Sequence, residues 1–437
     1  MTTPGDDPLC HGCVTSSRPP TAGPVARSRP PSVAVVGGGL AGLAAALDLV
    51  DGGAEVTVYE ARPTLGGAVQ TLPERDGDPE PPPDNGQHIA LGCFTEYLRF
   101  LERVGERDSY LRTRLALPVL DEHARRSDIA PSLPALLRYA HVPLRDRVRI
   151  PVVTARCRTA KPRTGETFGD VLRRLGASQT AIDRFWDVFI RPALNLRTDE
   201  VDAEAGLFTV RTALLGPRGN ADLVLPRKPL GLMHGDAAGR ALGDRVVLDR
   251  RIDSLDEIDA DAIVVATTPR ESARLLGEEP PALEDSPIVS VHLWFDRRLL
   301  EPPLAALLHS DAHWVFDRGS LTGHLPAEGQ YLTVVSSGVP ELLEVRGREL
   351  VDRIAAQLRE RLGDAELLWS RVSREPYATI ALRPGTPRPG TATSRGHVVR
   401  AGTWTDTGWP ATMESAVRSG RRAAQHLLST SFAKVSA

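Results

Sequence analysis

Lysine is nearly missing from this sequence. Only Lys161, Lys228 and Lys434 occur, so almost all of its 53 basic residues are arginine. In a chain so rich in Ala, Leu, Pro and Gly, that bias reads as composition before it reads as function. Cysteine is scarce as well: Cys10, Cys13, Cys93 and Cys157 are the whole set. Four in a chain of this length exclude a disulfide scaffold and point to a reducing compartment, hence the cytoplasm. Cys10 and Cys13 form a C-x-x-C in a Pro/Ser/Gly-rich stretch. No strand precedes the pair and no second pair follows, so neither a redox motif nor a metal site is expected. No apolar run reaches the length of a transmembrane helix, about 18 residues. The first 31 residues lack the apolar core of a signal peptide and read as a disordered tail. A net charge of −3 gives no global electrostatic case for nucleic acid.

What is present is a chain of 437 residues, 41 % apolar and 25 % charged, long enough for two or three domains with large cores. Order is expected to begin at Ser32. Val33 to Val36 is a short apolar run before glycines, hence a buried strand. Leu40 to Val50 is an Ala/Leu helix, and Glu55 to Glu60 a second strand. Between the first two lies Gly37-Gly38-Gly39-Leu40-Ala41-Gly42, a G-x-G-x-x-G. In that setting Gly37 permits the tight turn, Gly39 lets the backbone approach a pyrophosphate, and Gly42 lets helix and sheet pack closely. The helix N-terminus, at Leu40 and Ala41, offers N–H groups and positive partial charge to phosphates. Glu60 ends the second strand, where a carboxylate accepts from ribose hydroxyls. Directly after it comes Ala61-Arg62-Pro63-Thr64-Leu65-Gly66-Gly67-Ala68. This second glycine pair suits a loop near a diphosphate or flavin, which a plain nicotinamide domain does not need. No second G-x-G-x-x-G follows. Near the far end, Arg400 to Gly420 predicts a strand, a turn and a helix whose small residues Thr412, Ala416, Ser419 and Ala423 share one face.

Residues 60 to 68 resemble the extended FAD motif of the flavin amine oxidase and carotenoid desaturase superfamily, with Thr64 and Ala68 standing where that motif has basic residues. The resemblance implies FAD as cofactor. It implies that Thr403 takes the place of an aspartate that binds the ribityl chain, that Thr412 and Met413 open a helix toward the flavin, and that the backbone of Ile252 touches the adenine. The strings Asp84-Asn85-Gly86-Gln87-His88 and Trp404-Thr405-Asp406-Thr407-Gly408-Trp409-Pro410-Ala411-Thr412, with Phe185-Trp186 and Ala193-Leu194-Asn195, resemble a narrower family. These are the squalene-associated FAD-dependent desaturases, whose characterised activity is hydroxysqualene dehydroxylation in hopanoid biosynthesis.

That resemblance implies reductive loss of an allylic hydroxyl from hydroxysqualene, giving squalene and water, with an external electron donor of unspecified identity. An acid must protonate the leaving hydroxyl. His88 and Asp84, then Asp406, are the expected candidates. Blander readings stand beside them: His88 as a packing residue, Asp84 as a turn residue, Asp406 as a helix cap. Trp186, Phe185 and Trp409 are candidates to stabilise the cation through their π faces, while Trp294 and Trp314 read as core. A carotenoid-type desaturase and a non-catalytic flavin-fold lipid escort remain the alternatives.

The expected fold class is α/β: a discontinuous Rossmann-like FAD-binding domain over 32–115, 225–285 and 390–430, with an inserted α+β substrate domain over 116–224 and 286–389. Residues 73 to 86 read as a surface loop, 96 to 115 and 166 to 195 as helical, and 244 to 254 as a strand. Residues 133–163 interleave apolar side chains with seven arginines and one lysine against a single acid, Asp146. With a hydrophobic isoprenoid as substrate, that segment is expected to make peripheral contact with the inner face of the cell membrane.

Overall fold

The computed structural model describes residues 29–430. The Cys10–Cys13 pair, and all but the last three residues of the expected tail, lie outside the described residues.

Ser32–Val36 is strand β1, and four of its five residues are buried. Burying each valine contributes about 1.5–3 kcal/mol. Helix α1, Leu40–Asp51, follows, with nine of its twelve residues buried. The chain then reverses at Gly52 and Gly53 into β2, Glu55–Tyr59. Val246–Val247, Ala262–Val265 and Val398–Arg400 are β3, β4 and β5. All five pair in parallel in the order β5-β4-β1-β2-β3. The predicted βαβ unit is therefore the centre of a parallel sheet, and the chain is α/β as expected. The stretch 244–254, predicted as a strand, pairs only over Val246–Val247.

A second sheet has seven strands, ordered Leu367–Ile380, Asp285–Phe295, Gln330–Ser337, Trp314–Asp317, Leu304–Leu307, Leu117–Leu120 and Arg126–Ile129. Its pairs are antiparallel except Leu304–Leu307 with Leu117–Leu120. Ala90–Leu91, Leu223–Pro226 and Tyr110–Thr113 form a third sheet, antiparallel, in that order.

Two predicted elements need correction. Helix 96–115 ends at Arg103, because Gly105 turns left-handed at φ 80° and Tyr110–Thr113 is drawn into antiparallel pairing with Leu223–Pro226. Residues 73 to 86 are not a surface loop throughout: Asp84 and Asn85 are 2 and 3 % exposed. Two buried ion pairs, Asp78–Arg371 and Asp84–Arg318, pull this proline-rich segment against the seven-stranded sheet.

Residues 133–163 form two helices, α2 at Leu133–Arg138 and α3 at Leu144–Cys157. Ser132 caps α2 by accepting from the Ala135 N–H. Within 166–195 the helix Gln179–Ala181 widens into a π turn, Ile182–Trp186, before Asp187–Leu194 continues it. Such turns add a residue and rotate the side chains that follow. The last helix, α4, is Met413–Thr430. It packs on α1 so closely that a Cβ on Gly420 would stand 2.0 Å from the Ala41 carbonyl oxygen.

Candidate functional site

One cavity of about 1500 Å³ runs from the carboxyl ends of the parallel strands into the body between the two large sheets. Small-molecule sites occupy about 300–1,000 Å³, so this one has room for a dinucleotide and a second long molecule.

At its polar end the two glycine segments abut. The Gly66 N–H donates to the Gly38 carbonyl at 2.9 Å, and Gly39 and Gly66 form a parallel bridge. Gly67 adopts φ 61°, and a Cβ there would lie 2.9 Å from the Gly39 Cα. Gly42 fits as predicted on steric grounds: its Cβ would meet the Gly37 carbonyl oxygen at 1.9 Å. The first turn of α1 has no side-chain cap and no acidic residue, so its N–H groups are left for a ligand. Glu60 is fixed by accepting from the Gly38 N–H at 2.7 Å and the Arg62 N–H at 2.9 Å. Both bonds orient the carboxylate and leave lone pairs toward the cavity. Gly37, Gly39, Leu40, Ala41, Glu60, Ala61, Arg62, Gly66, Gly67, Ala68, Ile252, Thr403, Thr412 and Met413 all line it. Gly42 does not; it serves the helix contact. The cradle is two Cβ-free backbones, an open helix end and an oriented carboxylate, and it fits a dinucleotide.

The Asp84–His88 string is a clamp between this cradle and the seven-stranded sheet. Asp84 accepts from Thr71 Oγ1, the Leu230 N–H and the Arg318 guanidinium, the last at 2.5 Å. Arg318 also donates to Gln87, and Asn85 donates to the Ala68 carbonyl. Asn85 through His88 line the cavity, whereas Asp84 does not. Asp84, expected among the acids, is therefore spent on holding the loop. Asp406 is also turned away: it is exposed, and it accepts from the Gly408 N–H across a turn. His88 does face the cavity, but burial pushes its pKa down to about 4, which keeps the imidazole neutral.

A carboxyl that no motif flagged does face the cavity. Glu375, in the edge strand Leu367–Ile380, lines the cavity. Burial raises its pKa, against the opposing pull of Asn85, Arg62 and Ser373. Those neighbours put it where the glycine loops meet the apolar chamber. It is invisible in sequence because Arg-Glu-Pro-Tyr has no signature. Only the register that pairs Glu375 with Ile288 brings it inside.

Beyond that junction the walls are apolar and aromatic: Leu115, Leu117, Phe185, Phe189, Phe208, Trp314, Phe316 and Trp409. The π turn delivers Phe185. Trp186 packs edge-on behind it at 5.4 Å and does not reach the cavity. Trp314, read as core, is buried in a hydrophobic cluster and also lines the wall; Trp294 does not line it. Trp409 has Phe208 edge-on at 5.0 Å and Arg418 over its ring at 4.7 Å. Its loop is braced by Arg388, which donates to the carbonyls of Thr403, Thr405 and Trp409.

Known proteins resemble this chain in sequence and in fold. The family described as flavin containing amine oxidoreductase matches residues 40–428. A hydroxysqualene dehydroxylase of Sinorhizobium fredii is 28 % identical, covering 92 % of this chain and 99 % of its own length. One from Rhodopseudomonas palustris is 27 % identical over 91 % of this chain and 98 % of its own. A zeta-carotene desaturase of Synechocystis is 22 % identical over 91 % of this chain and 97 % of its own. Among solved structures, a putrescine oxidase variant superposes with a TM-score of 0.71 at 17 % identity, covering 91 % of this chain and 98 % of that one. These structures share the fold.

Proposed function

This chain belongs to the flavin containing amine oxidoreductase family, and from that premise we propose that it removes the allylic hydroxyl of hydroxysqualene, or a closely related isoprenoid alcohol, to give the hydrocarbon and water. FAD is its cofactor, and it is an FAD-dependent oxidoreductase. When bound and reduced, FAD supplies a hydride. The observation that carries the reading is the single cavity in which a dinucleotide cradle opens onto an apolar, aromatic chamber, with a raised carboxyl at the junction.

The chain's own residues then have distinct tasks. Glu375, whose pKa burial raises, gives its proton to the substrate hydroxyl, which departs as water. The C–O bond breaks, a C–H bond forms with the hydride, and charge balances. Phe185, Phe189 and Phe208 present π faces to the delocalised cation. The apolar walls exclude water that would recapture it. His88, kept neutral, accepts or donates a hydrogen bond without adding a positive charge beside the cation. Asp84, Arg318 and Asn85 position the loop that carries His88.

The test is anaerobic. The purified protein is reduced with dithionite, hydroxysqualene is added, and the flavin spectrum is followed while products are extracted. Reoxidation with stoichiometric squalene is the expected result. The similarity to zeta-carotene desaturases favours a second reading, oxidation of a polyene. A flavin that stays reduced with hydroxysqualene, but is bleached from the oxidised state by a polyene, would establish it instead. Protein that takes up no flavin would leave only the lipid escort.

A further inference from the structure

Helices α2 and α3 turn one side into the cavity and the other outward. Leu133 and Leu136 of α2 line the cavity, as do Pro151, Thr154 and Ala155 of α3. On the outer side, Leu133, Leu137, Leu144, Val148 and Val152 are 57, 39, 68, 54 and 47 % exposed. Of the twelve large apolar residues left exposed among the described residues, these two short helices carry five. At the helical repeat, Leu144, Val148 and Val152 form one stripe, and Arg145, Arg149 and Arg156 form the next stripe round. Ile150, Val153 and Cys157, on the far side, are buried. A circuit of α3 therefore passes from cavity wall to exposed apolar stripe, to arginine stripe, to core. Leu133 is at once cavity-lining and exposed, which marks a rim.

The charge says what covers this face. Arg138, Arg145 and Arg149 are exposed and have no carboxylate partner among the described residues. Asp146, the one acid on the two helices, is buried and accepts from Ser178. A second copy docked here would bring like charges together. Lipid phosphates would meet arginines, and acyl chains would meet the leucine and valine stripe.

We propose that the outer face of α2 and α3 docks on an anionic lipid bilayer, and that the rim at Leu133 is where a bilayer-dissolved substrate enters the cavity. The docking stands on the surface alone; the entry route rests on the isoprenoid reading. No described helix is long and apolar enough to cross a membrane, so the contact is peripheral.

The flavin-loaded protein is sedimented with phosphatidylcholine vesicles, with and without phosphatidylglycerol, at low and high salt. Binding is expected with phosphatidylglycerol and should fall as salt rises. The pair Arg145→Glu and Arg149→Glu should weaken it by at least about fivefold per arginine. The pair Leu144→Asp and Val148→Asp should abolish it. All four side chains are exposed, so the melting temperature should not move; Val152→Asp is the substitute if a pair fails to fold. Equal sedimentation of parent and variants, or indifference to phosphatidylglycerol, would overturn the docking. So would a dimer that Val148→Asp dissociates, with no vesicle binding. For the route, the ratio of turnover with vesicle-borne to micelle-borne substrate should fall at least tenfold in the Leu144→Asp and Val148→Asp pair, with the micelle rate intact. An unchanged ratio overturns it. A parent inactive in both formats speaks against the isoprenoid reading, while sedimentation still decides the docking.

Discussion

Burial moves Glu375 and His88 in opposite directions along the pH axis, because it disfavours whichever form is charged. The pKa of the Glu375 carboxyl is raised and that of the His88 imidazole is lowered to about 4, so the first keeps its proton to higher pH than an exposed carboxyl does and the second is neutral. Glu375→Gln should therefore cost about two to four orders of magnitude in the rate of flavin reoxidation by hydroxysqualene. The parent's rate should fall as pH rises through the raised pKa, since deprotonation removes the acid, and that limb should vanish in the variant. His88→Gln should leave the limb in place; stopped-flow traces across pH separate the two. Asp84 belongs to a different kind of residue. Asp84→Asn leaves the Arg318 guanidinium buried without its counter-charge, and should lower unfolding free energy by about 3–5 kcal/mol in denaturant titrations. A variant that keeps full stability but loses turnover would return Asp84 to the list of acids.

Helix α1 and its partner α4 meet through small side chains, and the approach is set by Gly420 and Ala41. Gly420→Ala forces the helices apart and should cost about 1–3 kcal/mol or more. Because α1 carries the open N-terminus of the cradle, FAD affinity should fall along with the melting temperature. Gly396→Ala, which meets nothing within 4 Å, is the control that should change neither. That α1 was readable is no accident: strand, glycine turn, helix and strand all lie within residues 32–59, and each is specified locally. The segment 133–163 was readable only as an interleaving of leucine and arginine. That one side of α3 faces a cavity and another faces out depends on what packs against Ile150, Val153 and Cys157, which local sequence does not state. The proline-rich stretch before His88 misled for the same reason. Prolines and acids predict a solvated loop, and the arginines that bury it, Arg318 and Arg371, lie more than 230 residues further on.

The cavity gathers residues from nearly every part of the chain, from Val36 to Ala416. Its polar end was legible because the cradle needs glycines and one carboxylate at fixed local spacing. Its apolar end was not, because leucines and phenylalanines that line a chamber are chemically the same as those that fill a core; Trp314 does both. The Glu375 carboxyl at the junction stayed hidden because a strand register, not a motif, puts it there. A ligand held by so many separated segments must couple to the folding of the whole. Anything bound by the native state and not by the unfolded chain stabilises by RT ln(1 + [L]/Kd), about 2.7 kcal/mol at a hundredfold excess over Kd. For a chain of this length that is roughly 3 °C in melting temperature. Stripping the flavin should lower Tm by at least that much, and restoring FAD in steps should raise it logarithmically. In Glu60→Ala the apoprotein should melt a little below the parent apoprotein, because the Gly38 and Arg62 N–H groups lose their acceptor, and the gain on adding FAD should shrink as well, because the lost carboxylate also serves the ligand. If the parent melts at one temperature with and without FAD, the glycine loops do not hold the dinucleotide, and the cavity has to be explained by its apolar end alone.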